Sequence, residues 1–108
     1  MRMWNVDTKL MCDKHLLGEH VEMHMFVGCI RKRMSLDGYL KNNLVRIDKI
    51  RERHDELVKE FERRGFFHNS PIGRFDYRYL ADVGRIDADK NLKDLKNRCL
   101  DCKRKSQE

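Results

Sequence analysis

Three groups of side chains in this 108-residue chain have types and spacings that bear on chemistry. The first lies in the run His15-Leu16-Leu17-Gly18-Glu19-His20-Val21-Glu22-Met23-His24. On a helix, His15, Glu19 and Glu22 stand at steps of four and three and share a face. Two carboxylates and an imidazole on one face, beside a glycine, can do acid–base work. The same residues equally suit a polar, solvated helix surface. His20 and His24 sit one turn apart, a spacing that suits metal ligation but needs further partners.

The second group is Cys99-Leu100-Asp101-Cys102, whose two-residue gap suits zinc ligation or a redox pair. A four-ligand zinc site needs two more donors. Cys12, Cys29 and the histidines could supply them, but their spacing does not select among them. A terminal disulfide, two free thiols and a metal clip shared between subunits all stay open. Four cysteines without a signal-peptide pattern point to a reducing compartment. The third group is the start of the chain, Met1-Arg2-Met3-Trp4-Asn5. An aromatic and two methionines this early predict a terminus packed on the core rather than frayed, with Trp4 as anchor.

Helices must position these groups, and the pattern is mostly helical. Asp7 or Thr8 is expected to cap a first helix that runs to about Met34 and ends near Asp37-Gly38. Its inner face would carry Leu10, Leu17, Val21, Met23, Phe26, Val27, Ile30 and Met34. Gly18 and Gly28 lie inside it at a cost of about 1 kcal/mol each against alanine, a cost that makes sense where a backbone or ligand comes close. A second helix is expected from Leu44 to Arg64, capped by Asn43 and stopped by Gly65, with Leu44, Ile47, Ile50, Leu57, Val58 and Phe61 inward. A loop follows from Gly65 to Gly73. Phe75–Tyr79 alternates as a short strand or an extended aromatic segment would, and Asp89–Arg98 reads as a last short helix. The fold class is all-α: a compact single domain with two long helices, a shorter C-terminal helix and extended loops. Residues 1–98 are expected to form the domain, and 99–108 a basic tail carrying the dithiol.

The chain is long enough for one hydrophobic core and no more. No stretch approaches the roughly 20 apolar residues that span a bilayer, and Asn5, Asp7, Lys9, Asp13 and Lys14 interrupt any secretory apolar region. The formal charge is +6. Its surplus collects at Arg31-Lys32-Arg33, Arg63-Arg64 and Lys103-Arg104-Lys105, which suits a polyanion such as nucleic acid or simply a basic solvated surface.

The segment Asp13–Glu22 followed by Phe26-Val27-Gly28-Cys29-Ile30-Arg31-Lys32 resembles the first helix of the phage endonuclease V family, the pyrimidine-dimer DNA glycosylases. The second helix is similar around Ile50-Arg51-Glu52-Arg53 and Glu56-Leu57, ending in Arg63-Arg64-Gly65-Phe66. With Arg2, the resemblance spans the first two-thirds of the chain; the last third does not match.

The resemblance implies a helical domain that removes a damaged base and then nicks the strand. Its nucleophile would be the α-amine at the start of the chain, which attacks the sugar carbon bearing the base, forms an imine and sets up β-elimination. Such an amine has a pKa of about 7.7–8.0, against about 10.4 for lysine, so it is partly neutral at pH 7. Arg2 is too bulky to favour removal of the initiator methionine, so the amine would be that of Met1. The assisting carboxylate corresponds to Glu22. Arg2 is placed to hold a phosphate, and His15 and Glu19 match positions lining the site. Damaged double-stranded DNA would lie across Arg2, Arg31, Lys32 and Arg33. The resemblance implies no metal or organic cofactor, no membrane, no obligatory protein partner, and an intracellular, cytoplasmic setting with access to DNA. Two arginines that flank the family carboxylate are Val21 and Met25 here. The aromatic C-terminal segment of the phage enzyme is missing, with Phe75, Tyr77 and Tyr79 as possible substitutes. Two other readings stand beside this one: a non-catalytic nucleic-acid-binding module on the same scaffold, and a small zinc-clipped interaction domain.

Overall fold

The computed structural model describes residues 1–68 and 70–107. Asn69, in the expected loop, and Glu108, at the end of the expected tail, lie outside the described residues. Asp7 does act as a cap, but of a single 3-10 turn, Thr8–Leu10, where its carboxylate accepts from the Lys9 amide at 3.0 Å. The first long helix, α1 (Asp13–Arg31), starts later than the sequence suggests. Its cap is Cys12, whose Sγ accepts from the His15 amide.

Helix α1 also stops early. Arg33 takes a left-handed conformation (φ 51°), and the Met34 amide turns back to the Cys29 carbonyl at 2.9 Å, the pattern that closes many helices. A short helix α2 (Asp37–Lys41) follows. Asn43, expected to begin the second long helix, instead ends α2. It is left-handed (φ 58°), and the Leu44 amide returns to the Tyr39 carbonyl at 2.9 Å. Asparagine serves both purposes because its short polar side chain tolerates either backbone.

The second long helix, α3 (Ile50–Arg63), therefore begins after a 3-10 turn at Ile47–Lys49. It ends at Gly65 (φ 80°) as expected, with the Phe66 amide reaching the Phe61 carbonyl at 2.8 Å. Phe75–Tyr77 has no regular structure and the chain then turns at Arg78-Tyr79, the Leu80 amide donating to the Tyr77 carbonyl at 2.9 Å; no strand occurs among the described residues. Arginines pin this loop. Arg31 Nε donates to the Arg74 carbonyl (2.8 Å), Arg51 donates to the carbonyls of Ile72 and Gly73 (3.1 and 2.8 Å), and Arg33 stacks on Tyr79. Farther on, Gly84 is left-handed (φ 86°), and a Cβ there would collide with the Val45 carbonyl oxygen, so no other residue fits. Helix α4 (Ala88–Arg98), capped by Asp87, and α5 (Leu100–Lys105) complete the all-α fold.

The core lies where α1 packs on α3. Met23, Phe26 and Ile30 of α1 meet Ile50, Leu57 and Phe61 of α3, joined by Met3, Met11, Val45 and Ile47. Burying each such side chain contributes about 1.5–3 kcal/mol. Leu17, Val21 and Met34, expected inside, are about half exposed (46%, 54% and 53%). Glu19 and His20 face inward in their place. They can do so because α3 supplies partners: Arg53 binds Glu19 with two bonds (2.7 and 2.8 Å), and His54 packs beside His20. An apolar period cannot report a face that is buried through ion pairing.

Candidate active site

The N-terminal residues are held from several directions. Met3 is fully buried and Trp4 nearly so. The Met3 amide donates to the Leu44 carbonyl at 2.7 Å. Asn91 of α4 donates its side-chain amide to the Trp4 carbonyl at 2.7 Å. The Arg2 guanidinium, expected to meet a phosphate, is engaged within the protein. It donates to Asn91 Oδ1 (2.6 Å) and Asp94 Oδ2 (3.0 Å) and lies 4.0 Å above the Trp4 ring.

This clamp brings the start of the chain to α1. The Arg2 amide donates to Glu22 Oε2 at 3.2 Å. Met1, Arg2, Trp4, His15, Glu22, Leu44 and Arg98 together line a cleft of about 400 Å³. Burial pushes the Glu22 carboxyl above its usual range and the like charge of Glu19 adds to this, while the Arg2 amide and the positive amino terminus oppose it. Burial, then the nearby Lys14, hold the His15 imidazole below its ordinary value. The cleft thus places the amino-terminal residue beside a carboxyl whose pKa is raised.

Other predicted residues lie elsewhere. Glu19 is fully buried against Arg53, on the side of α1 that faces α3. Arg31 and Arg33 line a larger cleft of about 810 Å³ with Arg51, Arg74, Phe75 and Tyr77, and Lys32 is exposed beside it. Arg31 lies nine residue steps along the helix from Glu22, roughly 13 Å along the axis. Around the smaller cleft, that of Met1 and Glu22, stand residues that the local sequence does not single out. Arg98 brings an exposed positive charge, and Asn91 and Asp94 fix Arg2 from α4. No sequence signal tied α4 to the N-terminus, because the contacts span 89 and 92 residues.

Two clusters have metal-ligand composition, each with its donor atoms within 4.8 Å of one another: Cys12, His15, Cys99 and Cys102, and His20, His24, His54 and His68. In the second, some ring nitrogens have partners and His24 Nε2 is buried without a hydrogen bond among the described residues. His20 Nε2 and His68 Nε2 share a 3.0 Å contact, and His54 bonds the Asp55 carboxylate and the Ser70 carbonyl.

Fold and cleft define a class: a small all-α domain whose amino terminus is seated against a helix carboxylate, with arginines around it. A family model described as pyrimidine dimer DNA glycosylase matches residues 1–73, and the chain belongs to that family. No curated protein and no solved structure gives a significant match. The matched stretch contains Met1, His15 and Glu22, whereas α4 and α5 lie beyond it.

Proposed function

We propose that the protein is a DNA repair glycosylase with AP-lyase activity, acting on pyrimidine dimers in duplex DNA through the α-amine of Met1. The neutral amine forms a bond to C1′ while the glycosidic bond breaks, and its electron pair leaves with the base, which takes up a proton. Loss of the amine proton and opening of the sugar give the imine. Glu22 then removes a C2′ proton, the C3′–O bond breaks, and the 3′ oxygen leaves with its phosphate. Water hydrolyses the imine and frees the enzyme. The observation that carries this reading is the 3.2 Å bond from the Arg2 amide to Glu22, which brings the carboxylate within one residue of the amine. Such a site works inside the cell, where DNA is.

Exposed basic side chains would bind the phosphate backbone with salt-sensitive, largely sequence-independent affinity. Lys32 and Arg98 suit this role. Arg31 and Arg33 are exposed as well, although each also holds the loop at 74–79. A dimer is cheaper to unstack than an intact pair, which favours its selection. Gly18 lies on the same face as His15 and Glu22, and no other part of the protein comes within 4 Å of a Cβ placed there, so the helix surface is open to a sugar.

Incubation with dimer-containing or abasic duplex in the presence of borohydride should give a covalent protein–DNA adduct that N-terminal acetylation abolishes. An adduct that survives acetylation would remove Met1 from the mechanism. A second reading, the non-catalytic DNA-binding module, draws on exposed Val21 and Met25, which stand where the phage family carries arginines. DNA binding with no adduct on either substrate would favour it.

A further inference from the structure

We propose that Cys12, His15, Cys99 and Cys102 form a structural zinc site that fastens α5, and through it α4, to the start of α1. The four residues arrive as two pairs with two-residue gaps, Cys12-x2-His15 and Cys99-x2-Cys102, from opposite ends of the chain. Tetrahedral zinc with bonds of about 2.3 Å to sulfur and about 2.0–2.1 Å to nitrogen sets sulfur–sulfur edges of roughly 3.8 Å and sulfur–nitrogen edges of roughly 3.6 Å. Cys12 Sγ and Cys99 Sγ lie 3.8 Å apart. His15 Nδ1 lies 3.3 Å from Cys12 Sγ and 3.7 Å from Cys102 Sγ. A disulfide needs about 2.05 Å, and all the cysteines are free thiols.

Backbone amides point at the sulfurs. Each of the three sulfurs receives a backbone amide: Cys12 from His15 (3.5 Å), Cys99 from Cys102 (3.4 Å) and Cys102 from Cys12 (3.2 Å). Amide donors of this kind orient the sulfurs, as outer-shell partners do at metal sites. Cys12 and Cys102 are buried, and His15 and Cys99 are half-buried, so the metal would be sequestered from solvent as in a closed structural site. Cys29 stands apart from the cluster.

The site also has a purpose in this fold. Helix α4 carries Asn91 and Asp94, which grip Arg2 and Trp4, and α5 begins directly after it at Cys99. Fixing Cys99 and Cys102 to Cys12 and His15 fixes α4 against the N-terminal segment. The proposal does not depend on the glycosylase reading, since it rests on the arrangement of the four donor atoms alone; of these ligands His15 also lines the cleft with Met1 and Glu22.

Full-length protein purified with a non-chelating reductant should carry one zinc per chain by mass spectrometric metal analysis. Replacement of Cys99 and Cys102 by serine should abolish this zinc, and Cys29→Ser should leave it intact. Should the double variant not fold, cobalt(II) added to metal-stripped wild-type protein provides the second measurement. It should give a near-ultraviolet thiolate-to-cobalt charge-transfer band and intense tetrahedral visible bands, and the histidine cluster cannot produce the first of these. Metal-free protein with no thiolate–cobalt band overturns the proposal. So does zinc that stays bound after both cysteines are replaced, or a disulfide among these three cysteines in the reduced preparation.

Discussion

The Arg2 backbone amide donates a 3.2 Å hydrogen bond to Glu22 Oε2, and the side chain of the same arginine is bound to Asn91 and Asp94 on α4. One residue thus joins the catalytic carboxylate of the proposed mechanism to a helix from the far end of the chain. The amine of Met1 is one residue away from that junction.

Glu22→Gln should lower strand nicking by about 100-fold or more, the usual scale for removing a general base, while duplex binding persists. Gel analysis of nicking beside a binding titration measures both. Nicking at the wild-type rate would show that another group takes the proton. The raised pKa adds a pH signature: as pH falls through it, Glu22 becomes protonated and the rate drops at a higher pH than an ordinary glutamate would set. Stability has the opposite sense. The folded state holds the Glu22 proton more tightly than the unfolded state, so the site destabilises the fold as pH rises, and Glu22→Gln should melt higher than wild type at neutral pH.

Glu19 serves the fold. Glu19→Ala leaves Arg53 buried without its counter-charge, which should cost about 3–5 kcal/mol in urea denaturation. Nicking per folded molecule should not change, because this carboxylate faces α3. A nicking loss larger than the unfolded fraction explains would place Glu19 in contact with DNA.

How far the sequence could be read depended on the partners each residue finds. Helix α3 was legible, since Ile50, Leu57 and Phe61 face inward between charged residues and Gly65 stops the chain. The inner face of α1 was not, because Glu19 and His20 are buried only by virtue of Arg53 and His54 on another helix. Asn43 suits a helix start by residue type, yet its left-handed backbone closes α2; asparagine fits both ends. Glu22 and the packed terminus were accessible through local spacing and family resemblance. Arg98, Asn91 and Asp94 were not, because only the tertiary fold brings them to Arg2. The Cys99–Cys102 gap was visible, but its companions Cys12 and His15 became identifiable only once the fold had closed.

The histidine cluster should make the protein acid-sensitive. His20 is buried, and this burial, followed by the neighbouring His54, His24 and His68, holds its pKa down to about 4. The unfolded chain binds that proton near pH 6.5, so its contribution is complete above 6.5 and is lost as pH falls toward 4. The slope from this one proton is at most about 1.4 kcal/mol per pH unit. Urea midpoints between pH 7 and 4.5 should show it, and His20→Gln should flatten it. An unchanged slope in that variant would assign the acid sensitivity to other groups, the thiol cluster among them.

Asn91 is the residue through which the segment beyond the family match should control the reaction. Its side chain donates to the Trp4 carbonyl and accepts from Arg2, so it sets the height of the N-terminal segment above α1. Asn91→Ala leaves a carbonyl and a guanidinium short of a partner, at a cost of about 1–3 kcal/mol. The larger effect should be on rate, since a shift of about 1 Å in a reacting group can cost about 100-fold. As a positioning residue, Asn91 should affect kcat and the yield of borohydride-trapped adduct while leaving DNA affinity near wild type. Arg98→Ala should do the reverse, weakening binding and reducing the salt slope by about one unit. If Asn91→Ala, corrected for its folded fraction, forms adduct at the wild-type rate, α4 does not position the amine, and the clamp on Arg2 serves stability alone.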